Sequence, residues 1–408
     1  MGLASIVGRV YGGADPNALM HEIMTRLNDP AQAPGAWLDL SILRRSLGDV
    51  ENAEIFQTEA LNASRIFRQP SSTDTPLRLL AFKTAGNFMV NTPVEFMLEG
   101  SAVELVSVYL SEDTKDIGAV PEHDVALLAI GESPESRTVL KLCQKLLRNG
   151  PRRILNFNVE TILRLDRSML WRVLAGAGGL CCPWTQEFKR ETLLQDPRAA
   201  LSARLIETET AFPLIVRPEG AHAGTNTHKV ENLDELVSVL ASLNVENVHL
   251  SKFIDYSADD GQFRKYRIAL IDGVAYPAHM AISSKWMVHY LNAGMAESAR
   301  KREEEANWLN DFHENFAVKH EAGFRALCEV LGLDYFAIDC AEAKDGTLLI
   351  FEIDTAMIVH CMDVEPEFAY KKAPMQKLFA AFQAMLTRTQ ALPYLPARVI
   401  SATATKAS

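Results

Sequence analysis

Apolar and polar positions follow a helical period in the first part of the chain and shorter, strand-like runs beyond it. Between residues 15 and 70 the stretches AWLDLSILRRSLGD and VENAEIFQTEALNASRIFRQP read as two amphipathic helices that turn at Leu47-Gly48-Asp49. PSSTDTP, at 70–76, reads as a linker. After it, Leu77–Phe82, Val103–Leu110, Asp124–Ile130 and Arg153–Phe157 read as strands. NTPVEFML, from Asn91, opens a helix with Thr92 as N-cap and Pro93 in the first position, and Glu135–Arg148 is a second helix. Strands alternating with helices predict a small, parallel, Rossmann-like sheet. The chain has no GxGxxG, so a dinucleotide site of that type has no support.

The second half mixes the two periods differently. Val159–Gly178 is helix-rich and leads into LCCPWTQEF. Phe212–Pro218 reads as a buried strand, Glu219–Thr227 as a loop of small residues, Asn232–Leu243 as a helix and Val248–Ile254 as a strand. Arg267–Ile271 and Val274–Ile282 read as a hairpin around Asp272-Gly273. A charged helix over Glu297–Phe316, whose RKREEE run reads as a solvated face, precedes a helix over His320–Leu331. Tyr335–Cys340 and Thr347–Ile353 form a second hairpin, turning at Lys344-Asp345-Gly346. A helix over Pro374–Thr389 and a small-residue tail, Ser401–Ser408, close the chain.

Composition narrows the class of function. A chain of 408 residues predicts two or three domains. Its 48% hydrophobic and 23% charged content is that of a soluble globular protein. A net charge of −11 argues against a general nucleic-acid role, although a nucleotide site needs only a local basic pocket. Apolar runs fall short of the roughly 20 residues of a membrane span, and the N-terminus lacks a signal-peptide pattern, so a cytoplasmic location is the expectation. The six cysteines form no CxxC pair and read mostly as buried free thiols.

Candidate chemistry concentrates in the last hairpin. Asp339 interrupts its first strand, and Glu352 and Asp354 close its second. Residues two apart on a strand share a face, and a hairpin can bring Asp339 opposite them. Three acids on a buried sheet face repel unless a cation lies between them, and magnesium takes such oxygen ligands. Solvated acids on an outer edge are the other reading. Upstream, a strand delivers Arg217 to an edge, and Gly220, Ala221, Ala223 and Gly224 would let backbone N–H groups approach an anion; a plain surface turn is the alternative. His279, Lys285, Trp286, His289 and His360 read as candidates for an acceptor pocket, against satisfied structural histidines or a zinc site of unusual spacing. Lys83, Asn87 and Asn91 follow the first strand, where parallel sheets place ligands.

The order of these parts resembles the ATP-grasp superfamily of carboxylate–amine ligases, from about Leu77 to Asp363. The resemblance implies an α/β and α+β chain: an ATP-grasp fold at 181–395, preceded by a Rossmann-like pre-ATP-grasp domain at 73–180 and a helical segment at 1–72, with a tail at 396–408. That segment resembles a single tetratricopeptide hairpin in its LGD turn, Ala53, Ala60 and Pro70. It would cap the fold or dock a protein partner. The family pattern puts ATP phosphates at Arg167 and Arg217. It puts the covering loop at Glu219, Gly220, Ala221, His222, Gly224 and Thr225, and the adenine-pairing hinge at Ser251-Lys252-Phe253-Ile254. Arg267 would stand near the transferred phosphate, with magnesium at Asp339, Glu352 and Asp354. The implied reaction joins a small-molecule or peptide carboxylate to an amine through an acylphosphate, and family members are often dimers. The chain departs from the pattern in having arginine for both expected lysines, Lys252 at the hinge, Ala337 where one branch has arginine, and Asp354 for the usual asparagine. Those departures leave open a catalytically degenerate module that binds nucleotide or a protein partner.

Overall fold

The computed structural model describes residues 1–71, 73–74, 76–117, 120–148, 153–201, 212–220, 224–363 and 365–391. Ala221, His222 and Ala223, and the tail at 396–408, lie outside the described residues. The chain divides into two compact units, Met1–Val159 with Phe379–Ser408, and Glu160–Leu378.

The first unit opens on four helices, α1 (Leu3–Tyr11), α2 (Pro16–Thr25), α3 (Ala33–Ser46) and α4 (Val50–Ala63). The LGD turn joins α3 to α4 as read, with Gly48 at φ 80 and the Asp49 side chain capping Asn52 N–H. Ile6, Leu19, Ile23, Ala36, Leu40 and Leu43 form the helical core, and Trp37 packs on Phe56 from α4. Helix α1 lies before residue 15, where the sequence reading places no element, although its buried Leu3, Ala4, Ile6 and Val7 recur at helical spacing. A second difference lies at Ile66–Gln69. The pattern there reads as helix, but helix α4 ends at Ala63 and the four residues form strand β1. Four residues are too few to show a period of their own; the tertiary pairing decides them.

The sheet of this unit runs β1-β3-β2-β4-β5, with β2 at Leu77–Thr84, β3 at Val103–Leu110, β4 at Val125–Leu128 and β5 at Ile154–Leu155. All neighbours are parallel except β1, which lies antiparallel on β3. The chain leaves β2 toward β3 and returns to β4 on the other side, which is the doubly wound pattern the alternation predicts. Thr92 does not cap the helix Val94–Leu98. Pro93 holds the N-cap position, and the Thr92 hydroxyl is buried without a partner.

The second unit holds two sheets. One is antiparallel, in the order β7-β10-β8-β9, from β7 (Thr185–Lys189), β8 (Leu214–Pro218), β9 (His228–Val230) and β10 (Asn247–Lys252). Leu214, Val216, Val248 and Leu250 pack it against Leu236 and Leu240 of the helix Leu233–Ser242. The other runs β12-β11-β13-β14-β6, from β6 (Leu180–Cys181), β11 (Phe263–Ile271), β12 (Val274–Ser283), β13 (Tyr335–Glu342) and β14 (Leu348–Asp354). The Asp272-Gly273 turn has both residues at positive φ, 51 and 82, as a tight two-residue hairpin requires. Strand β11 starts at Phe263, four residues before the predicted start, and so brings Lys265 onto the sheet. The six cysteines are free, but only Cys143 and Cys340 are fully buried; Cys361 is exposed. Among the described residues no helix is long and apolar enough to cross a membrane.

Candidate active site

A single rung of polar residues crosses the five-stranded sheet. His279 on β12 pairs with Arg267 on β11, Arg267 with Asp339 on β13, and Asp339 with Glu352 on β14. Residues directly opposite on neighbouring strands share a face, so the pairing itself gathers these four groups. The register shifts beside the rung on two pairs, after Arg267 and after Asp339. Such bulges let a strand re-aim a side chain without losing the rest of its ladder. Lys265, two residues before Arg267, falls on the same face.

Asp339 is 2% exposed and is neutralised by protein cations. Arg267 grips it with a fork, Nε to Oδ1 at 2.8 Å and Nη2 to Oδ2 at 3.0 Å, while Lys265 Nζ lies 2.6 Å from Oδ2. The remaining Arg267 nitrogen, Nη1, donates to the Ile358 carbonyl at 3.0 Å. Burial pushes the Asp339 carboxyl up, but Arg267 and Lys265 overcome it and hold it well below its usual range. Glu352 pairs with Arg167, whose helix, Arg167–Val173, is capped by the Asp166 carboxylate on Ser168 N–H. Burial again opposes ionisation, and Arg167 with Arg217 outweighs it, so the Glu352 carboxyl is also held down. Asp354, opposite Ala337, accepts the Ala356 N–H at 2.9 Å.

Arg217 is the group out of balance. It projects from β8, has no ion pair among the described residues, and its pKa is lowered to about 9, first by Arg167 and then by burial. A base whose folded pKa is lowered carries a charge that costs stability below that value. Arg217→Gln should therefore raise stability at pH 7, on the order of 1–2 kcal/mol for like charges at an effective dielectric of about 20. Urea unfolding checks this, and a clear loss of stability would show that Arg217 has a partner in the folded protein.

The three candidate histidines gather around Arg267. Burial lowers the pKa of His279, His289 and His360, and Arg267 lowers each further. The ring of His279 lies 4.7 Å from Tyr290. His289 and His360 each accept a backbone N–H on Nδ1, from Leu291 at 3.4 Å and from Met362 at 3.1 Å, which requires that nitrogen unprotonated. His360 is held down to about 4 from 6.5. Between those values the unfolded chain takes a proton that the folded one refuses, so stability falls as pH drops through the window. His360→Gln should lose less over the same range, by up to about 3 kcal/mol. Parallel stability–pH curves for the two proteins would refute this.

The other candidates sit elsewhere in the unit. Lys252 and Lys285 are exposed. The Trp286 ring packs edge-on to Phe253 at 5.8 Å, and Lys229 Nζ lies 4.2 Å from the Phe253 centroid. At the hinge, the Lys252 and Phe253 N–H groups donate to the Trp184 and Pro213 carbonyls, and the Ser251 hydroxyl bonds Thr185 at 2.9 Å; Ile254 follows just beyond β10. Glu219 and Gly220 are exposed, as is Thr225, and a Cβ added to Gly224 would meet Met287 Sδ at 2.8 Å.

Sequence reasoning missed Lys265 and a buried network around Glu305. Glu305 is 0% exposed, where the RKREEE run reads as solvated. Its oxygens accept from Met280 N–H at 3.0 Å, Tyr290 OH at 2.9 Å and Tyr370 OH at 2.6 Å, with Lys371 Nζ at 3.5 Å. The signal was present in the spacing, since Glu305 lines up at i, i+3, i+4 and i+7 with Trp308, Leu309 and Phe312.

Oxygen donors alone, as in Asp339, Glu352 and Asp354, are the chemistry that magnesium takes. Asp339 is already claimed by cations, and among the described residues no group of three or more His, Cys, Asp or Glu is placed to hold a metal ion. Magnesium commonly binds one or two carboxylates together with substrate phosphates; the carboxylates of β14 with that chemistry are Glu352, which is paired with Arg167, and Asp354, which accepts the Ala356 N–H.

No protein-family model and no curated protein matches the sequence. Solved structures do. A D-alanine–D-alanine ligase from Bacillus anthracis, complexed with ATP, is 18% identical over 77% of this chain and 98% of its own, with a TM-score of 0.46. The VanG D-Ala:D-Ser ligase from Enterococcus faecalis is 11% identical over 76% and 100%, with a TM-score of 0.46. A RimK-domain ATP-grasp protein from Sphaerobacter thermophilus is 17% identical over 75% and 98%, with a TM-score of 0.38.

Proposed function

We propose that the chain is an ATP- and magnesium-dependent ligase of the ATP-grasp kind, which activates a carboxylate as an acylphosphate and joins it to an amine. The observation that carries this reading is Arg217 buried beside Arg167, where the repulsion of Arg167 and burial outweigh the attraction of Glu352 and Asp339 and a polyphosphate would add negative charge. Both arginines would hold phosphate oxygens through their forks. Glu219, Gly220, Ala221, His222, Gly224 and Thr225 would cover them. Ser251–Ile254 would carry the adenine. With the Lys252 and Phe253 N–H groups engaged, the base would pair with carbonyls of this stretch or with Ile254.

Glu352 and Asp354 would hold magnesium, joined by Asp339 if its cations yield. Bound there, the ion would neutralise charge on the nucleotide phosphates. A substrate carboxylate oxygen attacks the γ-phosphorus, and the bond to the ADP oxygen breaks. An amine then adds to the carbonyl carbon, and phosphate leaves with the bonding pair. Arg267, oriented by Asp339, would stabilise the charge on the transferred group and on the tetrahedral oxygen. His279, His289 and His360 would border the acceptor, with Lys285 and Trp286 farther out, and a neutral His279, whose ring nitrogens are not engaged as those of His289 and His360 are, would take the proton that the amine loses.

Incubation with ATP, magnesium and pairs from a panel of amino acids and short peptides should release ADP and phosphate with a productive pair. Measurable ATP binding without release from any pair would remove turnover from the reading. One observation favours a second reading: Asp339 is already neutralised by Arg267 and Lys265, as suits a module that binds nucleotide and docks a partner through its tetratricopeptide-like helices. Glu352→Gln should abolish function in the first reading and leave partner binding intact in the second.

A further inference from the structure

Lys265 is a charge at the rung that neither the sequence pattern nor the proposed chemistry uses. It stands two residues before Arg267 on β11, and its side chain is 22% exposed. It reaches the site because β11 begins at Phe263 and lies antiparallel to β13, with Tyr266 opposite Cys340 and Arg267 opposite Asp339. Its Nζ lies 2.6 Å from Asp339 Oδ2, the oxygen that also takes Arg267 Nη2 at 3.0 Å. Asp339 Oδ1 takes Arg267 Nε at 2.8 Å. Both oxygens of the acid are held by charge-assisted bonds, and Oδ2 by two of them.

That arrangement leaves little room for a divalent ion on Asp339. Magnesium takes a carboxylate oxygen at about 2.1 Å. On Oδ2 it would stand within roughly 4 Å of the Lys265 ammonium, like charge against like. On Oδ1 it would displace the Arg267 fork, whose side chain is 19% exposed and has Asp339 as its carboxylate partner. Either position exposes a charge that the fold has already matched. Glu352 lies on the next strand, and its side chain is 27% exposed against 3% for that of Asp339. An approaching ion therefore meets Glu352 more readily than Asp339.

We infer that Lys265 is a built-in cation that takes the place of a metal ion at Asp339, so that the nucleotide is held with one divalent ion per chain, on the β14 acids, and not with two. This rests on the nucleotide reading given above. An ammonium has three donors, so Lys265 can keep Asp339 and still donate to a phosphate oxygen. Asp339 then serves to hold Lys265 and Arg267 in place and is not itself a metal ligand.

Equilibrium dialysis of the full chain against Mn2+ and the non-hydrolysable ATP analogue AMPPNP tests this, with metal and nucleotide analysis and electron paramagnetic resonance of the retained ion. The parent should hold one Mn2+ per bound AMPPNP, with the hyperfine pattern of an isolated ion. Lys265→Met keeps the length of the side chain and removes its charge; it should hold two, with the broadened spectrum of a spin-coupled pair. Lys265→Arg, which keeps the charge, should stay at one. Ratios are taken per bound nucleotide, so a change in nucleotide affinity does not alter them, and the parent's own ratio decides the matter even where a variant folds poorly. Two ions per nucleotide on the parent, or one on a folded Lys265→Met, overturns the inference and leaves the nucleotide reading standing. If the parent retains no AMPPNP, the nucleotide reading fails and the inference falls with it.

Discussion

Arg267→Met should destabilise the second unit by about 3–5 kcal/mol at pH 7, the cost of leaving a buried charge short of its partner. Arg267 supplies two of the three cationic contacts to Asp339, and only Lys265 would remain. The loss has a pH signature. In the parent protein the Asp339 carboxyl titrates well below its usual value of 3.8, so its stabilising contribution is complete above that value and lost only as pH falls through the lower, folded one. Without Arg267 burial acts with less opposition, and the folded pKa rises. A protonated Asp339 needs no cation, so the gap between variant and parent should narrow as the medium is acidified. Adding Asp339→Asn should recover part of the loss, since it removes the orphaned charge. Urea unfolding at neutral and mildly acidic pH measures both effects. A deficit under 1 kcal/mol, or one that ignores pH, would mean that the fork in the rung contributes little.

Glu305→Ala should cost more than about 4 kcal/mol, near the upper end for single substitutions. The residue is the common acceptor for a buried backbone N–H, two phenols and an ammonium, from Met280, Tyr290, Tyr370 and Lys371. Truncation would leave the Met280 N–H and both phenols without their acceptor. Lys371 would keep Asp363 at 2.7 Å and Tyr290 OH at 2.7 Å, which limits the damage. Glu305→Gln retains an acceptor oxygen of the same reach and should cost less than half as much. Tyr290 also faces the His279 ring, so the alanine variant should perturb the His279 imidazole resonances, while the glutamine variant leaves them near the parent's. Equal stability of the two variants would place the role of Glu305 in its bulk and not in its bonds.

These residues mark how far the pattern of the chain could be read. The Asp272-Gly273 hairpin and the hairpin carrying Asp339 and Glu352 were legible because turn chemistry and apolar runs are local. So was the pairing of those two acids, since a turn fixes which residues oppose one another. The neighbour of β13 on its other side was not legible. Nothing local indicates that β11 lies there, and that placement brings Arg267 and Lys265 onto Asp339. From sequence, three close acids read either as magnesium ligands or as solvated groups; the fold places guanidinium and ammonium groups against two of them. Glu305 reads as solvated for the opposite reason. Its charged neighbours Arg302, Glu303 and Glu304 mask its place in the apolar stripe with Trp308, Leu309 and Phe312, and only packing shows which charge turns inward.

The sequence by itself determined the order of elements, the doubly wound sheet of the first unit, the tight turns, and the presence of acids and arginines in one region. Backbone preferences, hydrophobic period and turn residues act over a few positions, so they can be read along the chain. Tertiary structure alone decided which charges meet and which of them lack a partner. Those facts depend on strands and helices far apart in sequence, and on the low dielectric that makes each unmatched charge costly once they are brought together.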